Sequence, residues 1–355
     1  MTIVAHTYPF VVGVDTHART HTLAVLASSG RHIDTATFPT TPHGLARALA
    51  WTHRRTTPQA GQVLWVIEGA GTYGAHLAKM ATDAGYPVVE APRMNPRARH
   101  TTGKSDTLDA TAIAAAALPL DTTRLRHPRT DTGPRAAIAV LTGAREHMNR
   151  ERTATINTLT ALLRIHDLGI DARKAPTTTQ INQVSTWRTR TEPLTLATAR
   201  TQATRLAQRI TSLTSELADN KQQIHTLLKI SPAAALLDEF GIGPLTAAAC
   251  YTAWSHPGRL RSEAAFAALA GVNPIPASSG NTTRHRLNRS GDRQLNRALH
   301  MSIITRMAKD PTTKAYIEKR RTEGKTDREI RRILKRYLAR RVYRLLTATT
   351  HPQPA

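Results

Sequence analysis

The chain has 355 residues, with 49 Lys plus Arg against 25 Asp plus Glu, a formal charge of +24 at pH 7 and a pI near 11.3. That length suits two or three domains with real cores, and the charge excess points to a polyanion held through phosphate contacts. Aromatic residues, at 4%, are too scarce for an amphipathic membrane anchor; the lone Cys250 excludes an intrachain disulfide and a cysteine-based zinc site.

The N-terminus, MTIVAHTYPFVVGV, has no basic n-region or clear cleavage site. The longest apolar run, residues 110–120, is too short to span a bilayer. A cytoplasmic protein without a membrane partner is expected. The first segment then alternates strand and helix patterns. PFVVGVDTH is a β-branched run ending in an acid, and HTLAVLASSG and RHIDTATFPT read as strands joined by a Ser-Ser-Gly turn. A helix is expected over residues 42–53, a buried strand in VLWVIEGAG, a helix in GTYGAHLAKMATDAG stopped by Gly85, and a strand in YPVVEAPR. This order predicts an α/β layer on a mixed sheet.

The carboxylates of this segment stand out by placement. Asp15 ends the VVGVD strand and Glu68 ends LWVIE, while Asp106 and Asp109, three apart in KSDTLDATAIAAA, share one face at the start of a helix. Ligand sites in α/β sheets form at such strand ends. Four carboxylates converging there repel one another unless a cation neutralises them. Hard oxygen ligands choose Mg2+ or Mn2+, and two such ions about 4 Å apart clamp the attacking and leaving oxygens of a phosphodiester. Taken singly, Asp15 can cap a turn, Asp106 can be a helix N-cap and Glu68 can pair with an arginine. As a set, strand-end Asp, strand-end Glu about fifty residues on and an Asp-x-x-Asp helix follow the order used by Holliday-junction resolvases of the RNase H-like fold.

From Ile138, apolar residues recur at Leu141, Met148, Leu159 and Leu162, and after a polar interruption, DARKAPTTTQINQ, again at Leu196, Ala203, Leu206, Ile210, Leu213, Leu217, Ile224 and Leu227. Steps of three and four sustained over about four heptads fit a coiled coil. Two long helices folding back on each other are expected, either as a coiled coil or as members of an ordinary bundle.

LLDEFGIGPLTAAACYTAW reads as a helix, a Gly-Ile-Gly-Pro turn and a second helix, a unit whose turn amides can bind a backbone phosphate. The next stretch, PIPASSGNTTRHRLNRSGDRQLNRALH, sets Ser278 and Ser279 before Gly280 and follows them with Arg284, Arg286, Arg289, Arg293 and Arg297. It is either a basic loop that holds a phosphate or a loop whose serine attacks one. A basic helix runs over residues 326–346, with Ile330, Ile333, Leu334, Tyr337 and Leu345 as its apolar face and a broad Arg/Lys face suited to nucleic acid.

GVDTHARTHTLAV, IEGAGTYG and GKSDTLDA resemble the DEDD motif of the IS110 insertion-sequence transposases. LLDEFGIGPLTAAA, FAALAGVNPIPASSGNTTRH and LNRSGDRQLNRALH resemble that family's C-terminal transposase domain. The resemblance covers nearly the whole chain, in the family's order. It implies an RNase H-like (RuvC-like) catalytic domain, residues 1–128; a helical coiled-coil linker, 129–230; and a helical transposase domain with a serine nucleophile and basic tail, 231–355. It further implies an element-encoded bridge RNA that pairs with donor and target DNA. Asp15, Glu68, Asp106 and Asp109 match the family's four acids. Its serine precedes a glycine, which selects Ser279, with Ser278 adjacent; Asn281 stands where the family often has a second glycine.

The expected function is therefore a DNA transposase that cuts and rejoins strands through Ser279, assisted by Mg2+ or Mn2+ at the four acids, with the arginines holding neighbouring phosphates. Joining two duplexes calls for a homo-oligomer, a dimer or tetramer, in which serine and acids meet within one chain or across protomers. The alternatives are a metal-dependent, structure-specific endonuclease using water, and a non-catalytic nucleic-acid binder.

Overall fold

Alternation along one strand organises the first unit. Strand β1 (Phe10–Thr16) sends Val12 and Val14 to one apolar cluster and Val11 to another, as a period of two requires. The computed structural model describes residues 2–56, 59–92, 105–129, 132–278 and 285–349. Ahead of β1 lies a single turn, α1 (Val4–Thr7). Strands β2 (Thr20–Ala27) and β3 (His32–Pro39) continue from β1 as antiparallel neighbours. Helix α2 (Pro42–Arg55), capped by Thr41, leads through a short 3-10 turn to β4 (Val63–Ile67); α3 (Ala75–Asp83) then leads to β5 (Val88–Glu90).

The resulting five-stranded sheet has the order β3-β2-β1-β4-β5, with β1, β4 and β5 parallel. Helices α2 and α3 cover one face through Leu45, Ala48, Trp51, Leu77 and Ala81. Helix α4 (Asp106–Ala117) covers the other through Ile113, Ala114 and Ala117. Both faces are thus buried, which accounts for the fully apolar VLWVI run of β4. This is the RNase H-like (RuvC-like) arrangement expected from the resemblance. The unit comprises residues 1–131 together with 255–265.

The second unit, residues 132–254 and 266–355, is mostly helical. Helices α5 (Gly133–Ile165) and α7 (Leu194–Lys229) run antiparallel: Arg145 Nη1 donates to the Leu217 carbonyl (2.6 Å), and Arg209 Nε donates to Glu151 (2.7 Å). The buried side of α7 is Ala199, Ala203, Ala207, Ile210, Leu213, Leu217, Ile224 and Leu228. Leu196, Leu206 and Leu227 are only part-buried; the buried side is taken instead by Ala199, Ala203 and Ala207 near the first two and by Ile224 and Leu228 beside the third. The interruption expected between the two helices contains a helix of its own, α6 (Thr178–Ser185), started by a Thr177–Gln180 capping box that overrides the polarity of its residues.

Helix α8 (Pro244–Trp254) packs against α5, α7 and α10 (Arg293–Lys309), and α10 also packs against α12 (Asp327–Ala348). Short α9 (Glu263–Leu269) and α11 (Pro311–Thr322) are the remaining helices among the described residues. The segment before the Gly-Ile-Gly-Pro turn is a single 3-10 turn, Ala234–Asp238, and not the expected helix. Ser231 and Pro232 end α7, with the Ser231 hydroxyl donating to the Leu228 carbonyl and accepting from the Ala233 amide, and the chain continues directly into the 3-10 turn.

The apolar face of α12 also differs from expectation. Ile330, Leu334, Leu338, Val342 and Leu346 are buried, an i, i+4 stripe in which Tyr337 has no part, being exposed. Cys250 is fully buried, which pushes its thiol up to about 12 and excludes it as a nucleophile. No helix among the described residues is long and apolar enough to cross a membrane.

Candidate active site

The first constellation forms where β1 and β4 end side by side. Their parallel register pairs Val14 with Ile67, so the next residues, Asp15 and Glu68, are neighbours. The Glu68 amide donates to the Val14 carbonyl (3.0 Å) and the Thr16 hydroxyl donates to the Glu68 carbonyl (2.8 Å). Gly69 then turns the chain with φ 59°, a left-handed conformation that glycine adopts at no steric cost.

Helix α4 brings the other two acids. Ser105 is its N-cap, accepting from the Leu108 amide, so Asp106 is not the cap that local sequence permits but the first helical residue. The helix lies so close to the sheet that a Cβ on Gly13 would collide with the Ala110 carbonyl and lie 2.6 Å from the Ala114 nitrogen. Gly13 shares a strand face with Asp15, Asp106 lies one turn before Ala110, and Asp109 immediately precedes Ala110. The close approach at Gly13 therefore carries both acids towards Asp15.

Asp15 is buried, with 7% of its surface exposed. Its carboxyl is held above the usual carboxylate range, first by burial and then by the charges of Asp106 and Asp109, against the opposing pull of His17. His17 Nε2 stands 3.2 Å from Asp15 Oδ2 and 3.5 Å from Asp106 Oδ1. Ligand atoms of Asp15, His17 and Asp106 all lie within 4.8 Å of one another. Glu68 and Asp109 fall outside that group; the Glu68 side chain is exposed, and Asp109 acts on Asp15 through its charge.

A buried carboxylate destabilised by two like charges, with an imidazole nitrogen alongside, is a donor set that fits a divalent cation. His17 went unrecognised in the sequence, although the signal was present: it lies two residues beyond Asp15, just past the end of β1.

The second constellation is a small hairpin in the other unit. Strands β6 (Ile275–Pro276) and β7 (His285–Arg286) pair antiparallel and flank the loop that carries the serines. Ser278 is exposed; Ser279, Gly280 and Arg284 lie outside the described residues. Arg286 and Arg289 are exposed, and Arg293 and Arg297 follow one turn apart on the solvent side of α10.

The polar residues between these arginines build the support. Asn288 Nδ2 donates to Asn273 Oδ1 (2.6 Å), its Oδ1 accepts from the Ser290 amide and hydroxyl, and Asp292 caps α10 by accepting from the Leu295 amide. Asn296 Nδ2 donates to the Ala270 carbonyl (2.6 Å).

An RNase H-like sheet with carboxylates gathered at its strand ends, followed by a basic helical unit, defines a class of proteins that act on nucleic-acid strands. The DEDD transposase model of IS110 matches residues 12–166, and the model described as Transposase IS116/IS110/IS902 family matches residues 233–318. The chain belongs to the IS110 family of transposases. It is 28% identical over 315 residues to the "Insertion element IS110 uncharacterized 43.6 kDa protein" of Streptomyces coelicolor, covering 75% of this chain and 77% of that protein. It is 29% identical over 130 residues to the "Insertion element IS900 uncharacterized 42 kDa protein" of Mycobacterium paratuberculosis, covering 36% of this chain and 33% of that protein. Family membership makes DNA the substrate and strand cleavage and transfer the activity.

Proposed function

We propose that this transposase exchanges DNA strands through a phosphoserine intermediate formed on Ser279, assisted by divalent ions at Asp15, Glu68, Asp106 and Asp109. The observation that carries the metal part is the buried Asp15 carboxylate meeting Asp106 around His17. Asp15, His17 and Asp106 would hold a Mg2+ or Mn2+ ion, with Glu68 and Asp109 completing the shell. Such an ion supplies charge stabilisation to the phosphoryl oxygens. The serine assignment rests on the family resemblance of the Ser-Gly sequence at the hairpin loop.

In the proposed reaction Ser279 Oγ loses its proton and bonds to phosphorus while one bridging P–O bond breaks. The departing strand takes up a proton and leaves as a free hydroxyl. Attack by the hydroxyl of a second strand then re-forms a phosphodiester and releases the serine, so no bond energy is lost to hydrolysis. Arg284, Arg286, Arg289, Arg293 and Arg297 hold phosphates beside the scissile one and oppose the charge that builds there.

The functional modules proposed are residues 1–128 for metal-assisted catalysis, 129–230 as a helical, coiled-coil linker and 231–355 for the serine and DNA contacts. A homo-oligomer, dimer or tetramer, brings two duplexes together, with serine and acids acting within one chain or across protomers. A bridge RNA, which the family resemblance implies, would supply the sequence choice for which no base-reading motif is evident in the sequence.

The test is a suicide-substrate assay. With Mg2+ and a nicked donor junction, the wild type is expected to form a covalent protein–DNA adduct. Ser279→Ala should form none, and Asp15→Asn should lower adduct formation by about 10^2-fold or more. Cleavage that persists in Ser279→Ala would instead identify a water-using nuclease. Loss in Ser278→Ala alone would move the nucleophile by one residue.

A further inference from the structure

A recess of about 540 Å3 opens between the serine hairpin and helix α12. Its walls carry Arg286, Lys325, Arg332, Lys335 and Arg336. Glu329 is the one acid among the described lining residues, and its carboxylate is engaged: it accepts from the Thr326 amide (2.9 Å) and hydroxyl (2.8 Å) in the capping box of α12. Glu329 stays ionised beside Lys325 and Arg332, but it is a single acid against Arg286, Lys325, Arg332, Lys335 and Arg336, so the wall keeps a clear excess of positive charge.

Lys335 sits half-buried with its Nζ donating to Asn296 Oδ1 (3.1 Å), an arrangement that fixes its direction. Burial and the neighbouring Arg332 hold its ammonium below the usual lysine range. Crowding like charges in a partly desolvated recess costs stability unless an anion joins them.

Shape narrows the anion. The volume falls among pockets that enclose one small-molecule-sized unit, roughly 300–1,000 Å3. A duplex is gripped instead across an open protein surface of about 1,000–2,500 Å2. Leu287 and Ile333 add apolar wall beside the cations, a combination suited to a base and its flanking phosphates.

We propose that this recess seats a single-stranded segment of nucleic acid, one nucleotide deep, held by its phosphates on α12 and β7. The proposal rests on the strand-exchange reading, in which a cut strand is freed beside the serine hairpin, and it assigns the recess-lining cations of α12, Arg332, Lys335 and Arg336, to that strand instead of to the intact duplex. The shared chemistry is the phosphodiester backbone; the strand is DNA if it is the cut end and RNA if it is a guide.

The experiment is fluorescence anisotropy of the full-length protein with labelled oligo(dT), oligo(rU) and duplex DNA, each about twelve nucleotides long, over a salt series. Arg332→Ala/Arg336→Ala is expected to weaken single-strand binding about tenfold. It should also flatten the log affinity against log salt slope by about 1.4, or roughly 0.7 for each phosphate that is no longer neutralised, while duplex binding changes little. Arg332→Lys/Arg336→Lys should retain most of the affinity, and Arg328→Ala, an exposed α12 change outside the recess, should retain all of it. A weakening on the DNA strand alone, the RNA strand alone or both upholds the proposal and names the source.

Unchanged single-strand affinity and slope in the double alanine variant would overturn it, as would a weakening of duplex binding equal to that of single-strand binding. Circular dichroism of each variant verifies folding. Cleavage plays no part in this readout, so failure of the phosphoserine assay and failure of the recess are separately visible.

Discussion

Gly13 shows how one missing side chain organises a site. Its face of β1 meets Ala110 and Ala114 of α4 with no room for a Cβ, and the same approach brings Asp106 to His17 and Asp15. Gly13→Ala is expected to push α4 off the sheet at about 1–3 kcal/mol. The check is a lowered thermal midpoint together with a weaker stabilisation by Mn2+ than the wild type shows. His17 is the other residue-scale finding. Its imidazole stands between two carboxylates of which one is buried, so a nitrogen donor joins Asp15 and Asp106 in the cluster. His17→Ala should weaken Mn2+ more than Mg2+ binding in calorimetry, because a nitrogen donor favours the transition-metal ion.

At the scale of elements, α12 turns a run of charges into a defined surface. Its buried stripe fixes the helix against α10, and its N-terminal capping box, Thr326 with Glu329, fixes where it starts. Thr326→Ala should cost about 1 kcal/mol, read as roughly fivefold faster hydrogen exchange of the first-turn amides of α12. The α5–α7 pair shows a different balance. Alanines let the helices approach, and Asn220 lies buried on the seam, donating to the Leu141 carbonyl (3.0 Å). A buried polar residue in such a seam specifies register.

At the scale of the whole molecule, the charge of +24 is spread over a family fold whose substrate is DNA. If some six to ten phosphates are engaged, affinity for DNA should fall about 10^3–10^5-fold between roughly 50 and 200 mM salt. A salt titration by gel shift measures this. A fall of less than tenfold would show that the basic faces leave most of the DNA phosphates untouched.

Much of this protein was legible in its residues, because alternation and helical periodicity report faces directly. The VVGVD and LWVIE runs marked strands with acids at their ends, and KSDTLDA marked the acidic start of a helix; all three are borne out by the sheet and by α4. The α6 helix was hidden because a capping box outweighs a polar composition, and the true buried stripe of α12 was hidden because burial depends on what packs opposite.

Local sequence by itself determined the elements, the charge and the strand-end placement of the acids, since these follow from neighbours along the chain. Only the tertiary structure decided that His17 joins Asp15 and Asp106, that Glu68 lies outside that group, and that α12 and a two-residue strand enclose a cationic recess. These depend on distances through space between segments far apart in sequence, which packing sets and periodicity does not encode.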